Sequence, residues 1–418
     1  MRYLPLALLC FFWSPLASLL SKNACTSVRA QIEDWGSYYG ITCTTRDTAE
    51  TFVPAASAIL DGSAGPGAVF ILDFTADVPA EARDAIRFAA DVWGAYLVSD
   101  VPIRVNIDWQ DRMDDRLLAS AGPGTLFRGF AGSRPDVWYP VALAEAIAGQ
   151  PLNDDGAADI NVTANSTANW YFPTDGNPPR NRIDLASVML HELGHGLGFL
   201  SSVDTIGPNE LQLGFGGRFI IYDEFLQTPA GMELTDAGLF ANPSPELLVA
   251  VSEDNLFFGG DNAVNANDDD IVPLFAPQVF NSGSSVSHLG EGDFRPGSEN
   301  ALMTPFLSAG EAVHDPGPIT LGIFRDLGWT VNENLTSIRP RDLVEIGLFP
   351  NPATEFVTLQ LGPRATPGYV TLHAADGRTV RRQPVPAGES AVRLEIAGLP
   401  AGFYTVRTGV GVGKMVVR

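Results

Sequence analysis

The chain has 418 residues, with 49 acidic against 26 basic side chains and a formal net charge of −23 at pH 7. That length allows two or three domains with a sizeable core. So acidic a surface repels phosphate backbones and excludes nucleic acid as a partner, and the only lysines are Lys22 and Lys414.

Residues 1–21 read as a secretory signal: Arg2 supplies the positive start, and Leu4–Leu20 is apolar with only Ser and Pro interruptions. No later stretch is long and apolar enough to span a bilayer, so no stable membrane span is expected. Cys10 falls inside the signal, which leaves Cys25 and Cys43 as an even pair in an exported chain. One disulfide between them is expected, with two free thiols as the alternative. Residues 22–67 form an N-terminal segment and a candidate propeptide.

From Ala68 the pattern becomes regular. Ala68–Phe74 reads as a buried strand, and Pro79–Tyr96 as a helix carrying Ala85, Phe88, Ala89, Val92 and Trp93 at helical spacing. Pro102–Trp109 alternates like a half-buried strand, and Ala158–Val162 is a shorter one. A second helix is expected over residues 184–197, with Asp184 as N-cap and Leu190, Leu193 and Leu197 as an apolar stripe. Strands and helices in this order imply an α+β domain over residues 68–332, a twisted sheet packed on two helices.

The second helix carries the chemistry. It reads His191-Glu192-Leu193-Gly194-His195-Gly196-Leu197-Gly198. Residues at i and i+4 share a helix face, so His191 and His195 can take two corners of a tetrahedral zinc site. Glu192 is placed to take a proton from a water held there, as general base. The stripe opposite the histidines would be buried, leaving the metal face towards a cleft.

Residues 199–287 are rich in Gly, Asn, Asp and Pro; within them only Phe219–Tyr222 reads as a strand. The acidic run Asp261–Asp270 is a candidate calcium loop, but it lacks the spacing and terminal Glu of an EF-hand. Leu321, Ile323, Phe324 and Leu327 suggest a helix ending at Gly328.

A catalytic zinc needs a third protein ligand and an open fourth position. Position 201, six residues after His195, is Ser. Glu210, Glu224 and His314 are possible by position. The segment Ser284–Pro305 offers His288, followed fifteen residues later by Met303 in Ala-Leu-Met-Thr-Pro. Together, His191, Glu192, His195, Gly198, His288 and Met303 resemble the leishmanolysin-type metzincins. In that family an insertion separates the zinc motif from a distant third His and a Met-turn. The resemblance implies a secreted zinc endopeptidase with a protein or peptide substrate, in which His288 completes the ligand set and Met303 lies beneath the metal. It also implies that Ala158–Val162 is the edge strand on which an extended substrate pairs. The many cysteines of that family are missing here. A gluzincin-like peptidase with a carboxylate ligand, or a non-enzymatic surface protein with a structural zinc motif, are the alternatives.

Residues 333–346 read as a linker. Beyond it Phe356–Leu361, Tyr369–His373, Ala391–Ile396 and Phe403–Arg407 alternate with period two, and Asp376-Gly377 marks a hairpin turn. This is a small all-β sandwich over residues 347–418. Leu348-Phe349-Pro350-Asn351-Pro352, Leu399-Pro400-Ala401-Gly402-Phe403-Tyr404 and the closing Lys414-Met415-Val416-Val417-Arg418 resemble the C-terminal sorting domain of type IX secretion. The resemblance implies the type IX machinery as partner, and a location outside a Gram-negative cell.

Overall fold

A computed structural model describes residues 28–30, 41–46, 48–65, 67–112, 116–207, 209–332, 335, 344–345, 347–360, 368–374, 379–385, 391–408 and 411–418. The expected signal, Cys25, Asp376-Gly377 and most of the expected linker lie outside these residues. The chain divides into two compact units, residues 1–332 and 333–418.

The first unit is built on a mixed sheet. Its strands are β1 (Ile41–Thr44), β3 (Phe70–Phe74), β4 (Ile103–Gln110), β5 (Leu117–Pro123) and β6 (Ile160–Asn165), in the order β1-β5-β6-β4-β3. β3, β4 and β6 are parallel, with Leu72 and Ile160 both opposite Val105. β5 runs antiparallel to β6, and β1 antiparallel to β5, with Cys43 opposite Ala119. β4 shows why this works: Ile103, Val105, Ile107 and Trp109 alternate inward and are all buried.

Helix α1 (Ala80–Tyr96) buries Ala82, Ala85, Ile86, Ala89, Val92 and Trp93, an apolar stripe at helical spacing. Burying each large apolar side chain contributes on the order of 1.5–3 kcal/mol. Trp93 reaches helix α2 (Leu185–Leu197), its indole N–H donating to the Leu190 carbonyl at 2.8 Å. Two further elements complete the frame: β2 (Thr48–Val53) pairs parallel with β7 (Ala309–Val313), and α3 (Gly317–Leu327) follows.

Three expectations change here. Ala158–Val162 is not an edge: Ile160–Asn165 is paired on both sides, by β4 and β5. The strand beside it is Leu117–Pro123, whose small residues are buried on both faces and so show no alternation to read. The N-terminal segment is not separate either, since β1 joins the sheet edge and β2 pairs with β7. Finally, Phe219–Tyr222 is not a strand; Ile221–Phe225 forms a 3₁₀ turn.

In the second unit two sheets share one core. β8 (Val344–Glu345), β11 (Gly368–Ala374), β12 (Thr379–Val385), β14 (Gly402–Thr408) and β15 (Gly411–Val417) are ordered β8-β15-β14-β11-β12. β9 (Gly347–Phe349), β10 (Phe356–Gln360) and β13 (Ala391–Glu395) form the second sheet, ordered β9-β10-β13. Val357, Leu359, Leu372, Leu394, Val406 and Met415 fill the space between them. Phe349 and Phe403 are exposed instead of joining this core.

Candidate metal centre

Helix α2 is held at both ends. Asp184, fully buried, accepts from the Ser187 amide at 2.9 Å, the Ser187 hydroxyl at 2.6 Å and His314 Nε2 at 2.8 Å. His314, one of the candidate third ligands, is therefore engaged at the helix start, between the rings of Phe52 and Phe88. At the other end Gly198 turns the chain with φ of 129°, a conformation that disfavours a Cβ. Trp329 Nε1 donates to the Leu197 carbonyl at 3.0 Å.

All thirteen residues of α2 are buried, so the helix shows no open face. Close packing explains part of this. A Cβ added at Gly196 would stand 2.2 Å from Ile160 Cγ2 on β6. Gly196→Ala should gain up to about 1 kcal/mol of helix propensity and lose about 1–3 kcal/mol to overpacking. A lower melting temperature, read by thermal denaturation, is the expected outcome.

His191, His195 and His288 converge. His195 Nε2 lies 2.9 Å and His288 Nε2 3.3 Å from His191 Nε2. Zinc–nitrogen bonds of about 2.0–2.1 Å in a tetrahedron set the nitrogens roughly 3.4 Å apart, close to this spacing. Each Nδ1 faces a backbone carbonyl at 2.7 Å: Leu302 for His191, Phe199 for His195 and Ser284 for His288. A carbonyl only accepts, so each Nδ1 carries the proton and each Nε2 turns its lone pair inward. Burial pushes all three imidazoles towards the neutral form, with His191 lowered to about 4. Neutral imidazoles with fixed tautomers and converging lone pairs are the donor set a zinc ion requires.

Glu192 completes the centre. Its Oε1 accepts from the Cys43 amide at 3.3 Å, while Oε2 is buried without a partner. Burial pushes its carboxyl well above the usual range. A buried oxygen with no donor calls for a group to satisfy it.

The segment that delivers His288 is anchored from several sides. The Phe275 amide donates to the His288 carbonyl at 2.8 Å, and Leu289 donates to Met303 at 2.8 Å. Val286 holds φ of 72°, strained for a β-branched residue, two positions before His288. Met303 is fully buried under the helix; a Cβ at Gly194 would meet its Sδ at 2.8 Å. Ser201, where a nearer third His would stand, instead donates to Asp223 Oδ1 at 2.7 Å and receives no metal role.

Asp223 also accepts from the Ser202 hydroxyl, the Ser202 amide at 3.1 Å and the Ile220 amide at 3.0 Å. Burial still outweighs these bonds and raises its carboxyl to about 6. An acid raised on folding contributes stability below its unfolded value near 3.8 that is lost as pH rises through about 6. Melting curves of the parent and Asp223→Asn between those limits should differ in slope, the parent losing more stability as pH rises.

Of the other candidates, Glu210 is exposed and Glu224 lies 3.8 Å from Arg134. Among the described residues, no carboxylate of Asp261–Asp270 belongs to a group of three or more His, Cys, Asp or Glu side chains gathered as a metal site. Asp261–Ala266 is helical, with Asn262 and Ala263 amides donating to Asp326 at 3.0 and 2.9 Å. Among the described residues, the groupings able to hold a metal are His191–His195–His288 and Cys43–His191–Glu192. Cys25 lies outside the described residues, and Cys43, its expected disulfide partner, is a free, buried thiol beside His191 and Glu192. Its position was readable only as an alternating Ile-Thr-Cys-Thr run; nothing local tied it to His191.

Two family models match parts of the chain. Residues 139–217 match the SPBPB7E8-like family, an interval that includes His191, Glu192 and His195. Residues 347–418 match the secretion system C-terminal sorting domain. An uncharacterized protein of Schizosaccharomyces pombe is 32% identical over 74 residues, 18% of this chain and 13% of that protein. The chain thus spans a small fraction of that relative. A thermostable endoglucanase from Alicyclobacillus acidocaldarius, in a single-mutant crystal structure, aligns at 18% identity over 18% of this chain and 15% of its own, with a TM-score of 0.15. No helix among the described residues is long and apolar enough to cross a membrane. Residues 347–418 are a type IX secretion sorting domain, and the chain is a protein exported by that route to the surface or exterior of a Gram-negative bacterium.

Proposed function

We propose that the first unit is a zinc-dependent endopeptidase of metzincin type. The observation that carries this reading is the convergence of three carbonyl-locked imidazoles beside a buried carboxylate with one unpartnered oxygen. His191, His195 and His288 would hold the ion through Nε2. A zinc ion in that position supplies Lewis acidity, which acidifies a water and polarises a scissile carbonyl. Glu192 accepts the water's proton on its carboxylate and delivers it to the leaving amine. Met303 packs beneath the helix and supports the ligand positions.

The sorting domain fits this reading, since a peptidase delivered outside the cell meets protein substrates there. Elemental analysis should find one zinc per chain, lost in His191→Ala. Denatured casein should be cleaved, before or after limited proteolysis of the chain, with loss of activity to a chelator and recovery on adding zinc. A zinc-free protein, or a zinc protein inert in both states, would overturn the proposal. Among the described residues neither Glu210 nor Glu224 belongs to a grouping able to hold a metal, which favours His288 over a gluzincin-like carboxylate.

A further inference from the structure

A cleft of about 450 Å³ opens in the segment between α2 and His288, and none of its lining residues belongs to a grouping able to hold a metal. One wall is the hairpin over Leu226–Leu234, in which Gln227 bridges to Glu233. There the Thr228 amide donates to the Met232 carbonyl at 3.0 Å and the Leu234 amide to Leu226 at 2.9 Å, which holds Pro229 and Met232 in place. The other wall is the short helix Pro245–Ala250, capped by the Ser244 hydroxyl, which accepts from the Leu247 amide at 3.2 Å. That helix buries Leu247 and Ala250 and turns Val249 outward, 69% exposed. Met232 faces the same cleft at 40% exposure, above the buried Phe240. A second cleft of about 230 Å³ shares the helix through Leu248 and includes Val279, 80% exposed. Large apolar side chains gathered at the surface in this way mark an interaction site more often than a packing accident.

The charge here is as uneven as the polarity. Between Arg218 and Arg295 the chain carries thirteen Asp or Glu and no Lys or Arg. Glu246 is the charged side chain lining the larger cleft, and Glu233, Glu253 and Asp254 adjoin the lining residues Met232 and Asn255 along the chain. All four acids are exposed. We propose that this surface docks a cationic, apolar segment of an extracellular protein. A bulky aliphatic or aromatic side chain enters the larger cleft, and Lys or Arg on either side of it face Glu246 and Glu233. The apolar contact supplies affinity, while the acids attract and orient the segment. Two clefts on one helix suit a peptide that continues past its anchor, where a compact ligand would fill only one. The same charge disfavours other occupants: a second copy would bring its own net −23, and an anionic membrane would be repelled. Export puts the surface where proteins outside the cell can reach it. Docking is independent of the zinc reading, since no lining residue takes part in the metal centre.

The test is fluorescence anisotropy with a labelled peptide that carries a central Trp-Leu between paired lysines. The full chain is used with Glu192→Gln, so that any hydrolysis at the metal centre does not consume the probe. Replacing Trp-Leu by Ala-Ala, or the lysines by glutamates, should weaken binding at least about tenfold. Met232→Asp and Val249→Asp, at exposed positions where a substitution is well tolerated, should each cost about fivefold or more. Glu246→Lys should cost roughly two- to fivefold, the range of an exposed ion pair. Asp77→Lys, an equal charge change at an exposed site outside both clefts, should leave the affinity unchanged. Melting temperatures show that each variant is folded. A probe that does not bind, or one that binds equally well with Ala-Ala or with glutamates, would overturn the proposal. Equal losses in Asp77→Lys and Glu246→Lys would do the same, since attraction by net charge alone would then suffice. A dimer in sedimentation that Val249→Asp dissolves would give the surface to a second copy and also overturn it.

Discussion

Glu192→Gln is expected to retain one zinc and lose peptide hydrolysis by roughly 10²- to 10⁴-fold, the range that a positioned general base contributes. Gln has nearly the same shape, and its Oε1 can still accept from the Cys43 amide, which donates at 3.3 Å. What it lacks is a site that takes up a proton. The substitution therefore isolates proton transfer from metal binding. The clean measurement is kcat/KM on a quenched peptide, beside elemental analysis of the same samples. Activity within a few-fold of the parent would remove Glu192 from the mechanism, whatever the zinc content.

His288→Ala should act at the other level and abolish the metal. Loss of a partner that merely orients a ligand costs roughly 10- to 100-fold in metal affinity, and loss of the ligand itself should cost more. The three Nε2 atoms are the only imidazole nitrogens gathered into one grouping among the described residues. With His288 gone, two imidazoles remain, and the Ser284 carbonyl loses its 2.7 Å partner. Competitive titration with a chromophoric chelator would read the change. His314→Gln is the informative contrast. His314 is bound to Asp184 at 2.8 Å at the start of α2, so this variant should lower the melting temperature while keeping the zinc. The opposite pattern, zinc retained in His288→Ala and lost in His314→Gln, would refute the ligand assignment.

The sequence and the fold divided this centre unevenly. The spacing of His191, Glu192 and His195 is a property of helix geometry, and Asp184 as N-cap follows from local preference; both were legible. Phe70–Phe74 is a strand as its apolar run implies, but at the sheet edge it is only half-buried instead of buried. The strand at Ile103–Gln110 showed itself because it buries every second residue. β5 did not. Its Ala-Ser-Ala-Gly run is buried on both faces and has no period to detect. The edge position of Ala158–Val162 was only what the resemblance implied, and with β5 unread nothing in the sequence opposed it. The place of Cys43 was hidden for a related reason: its neighbours His191 and Glu192 are about 150 residues away along the chain.

By itself, then, the sequence determined the two helical histidines with Glu192 between them, the C-terminal sandwich and the sorting signature, all of which are written in short windows. Only the tertiary structure decided that His288, and not His314, shares a grouping with them, that Leu117–Pro123 packs against their helix, and that residues 41–44 form the sheet edge next to Glu192. The physical reason is range. A helix or strand is specified by neighbours a few residues apart, whereas a ligand set is specified by chain segments about 90 to 150 residues apart. Their meeting depends on sheet order, on turns such as the strained one at Val286, and on packing that no local pattern encodes.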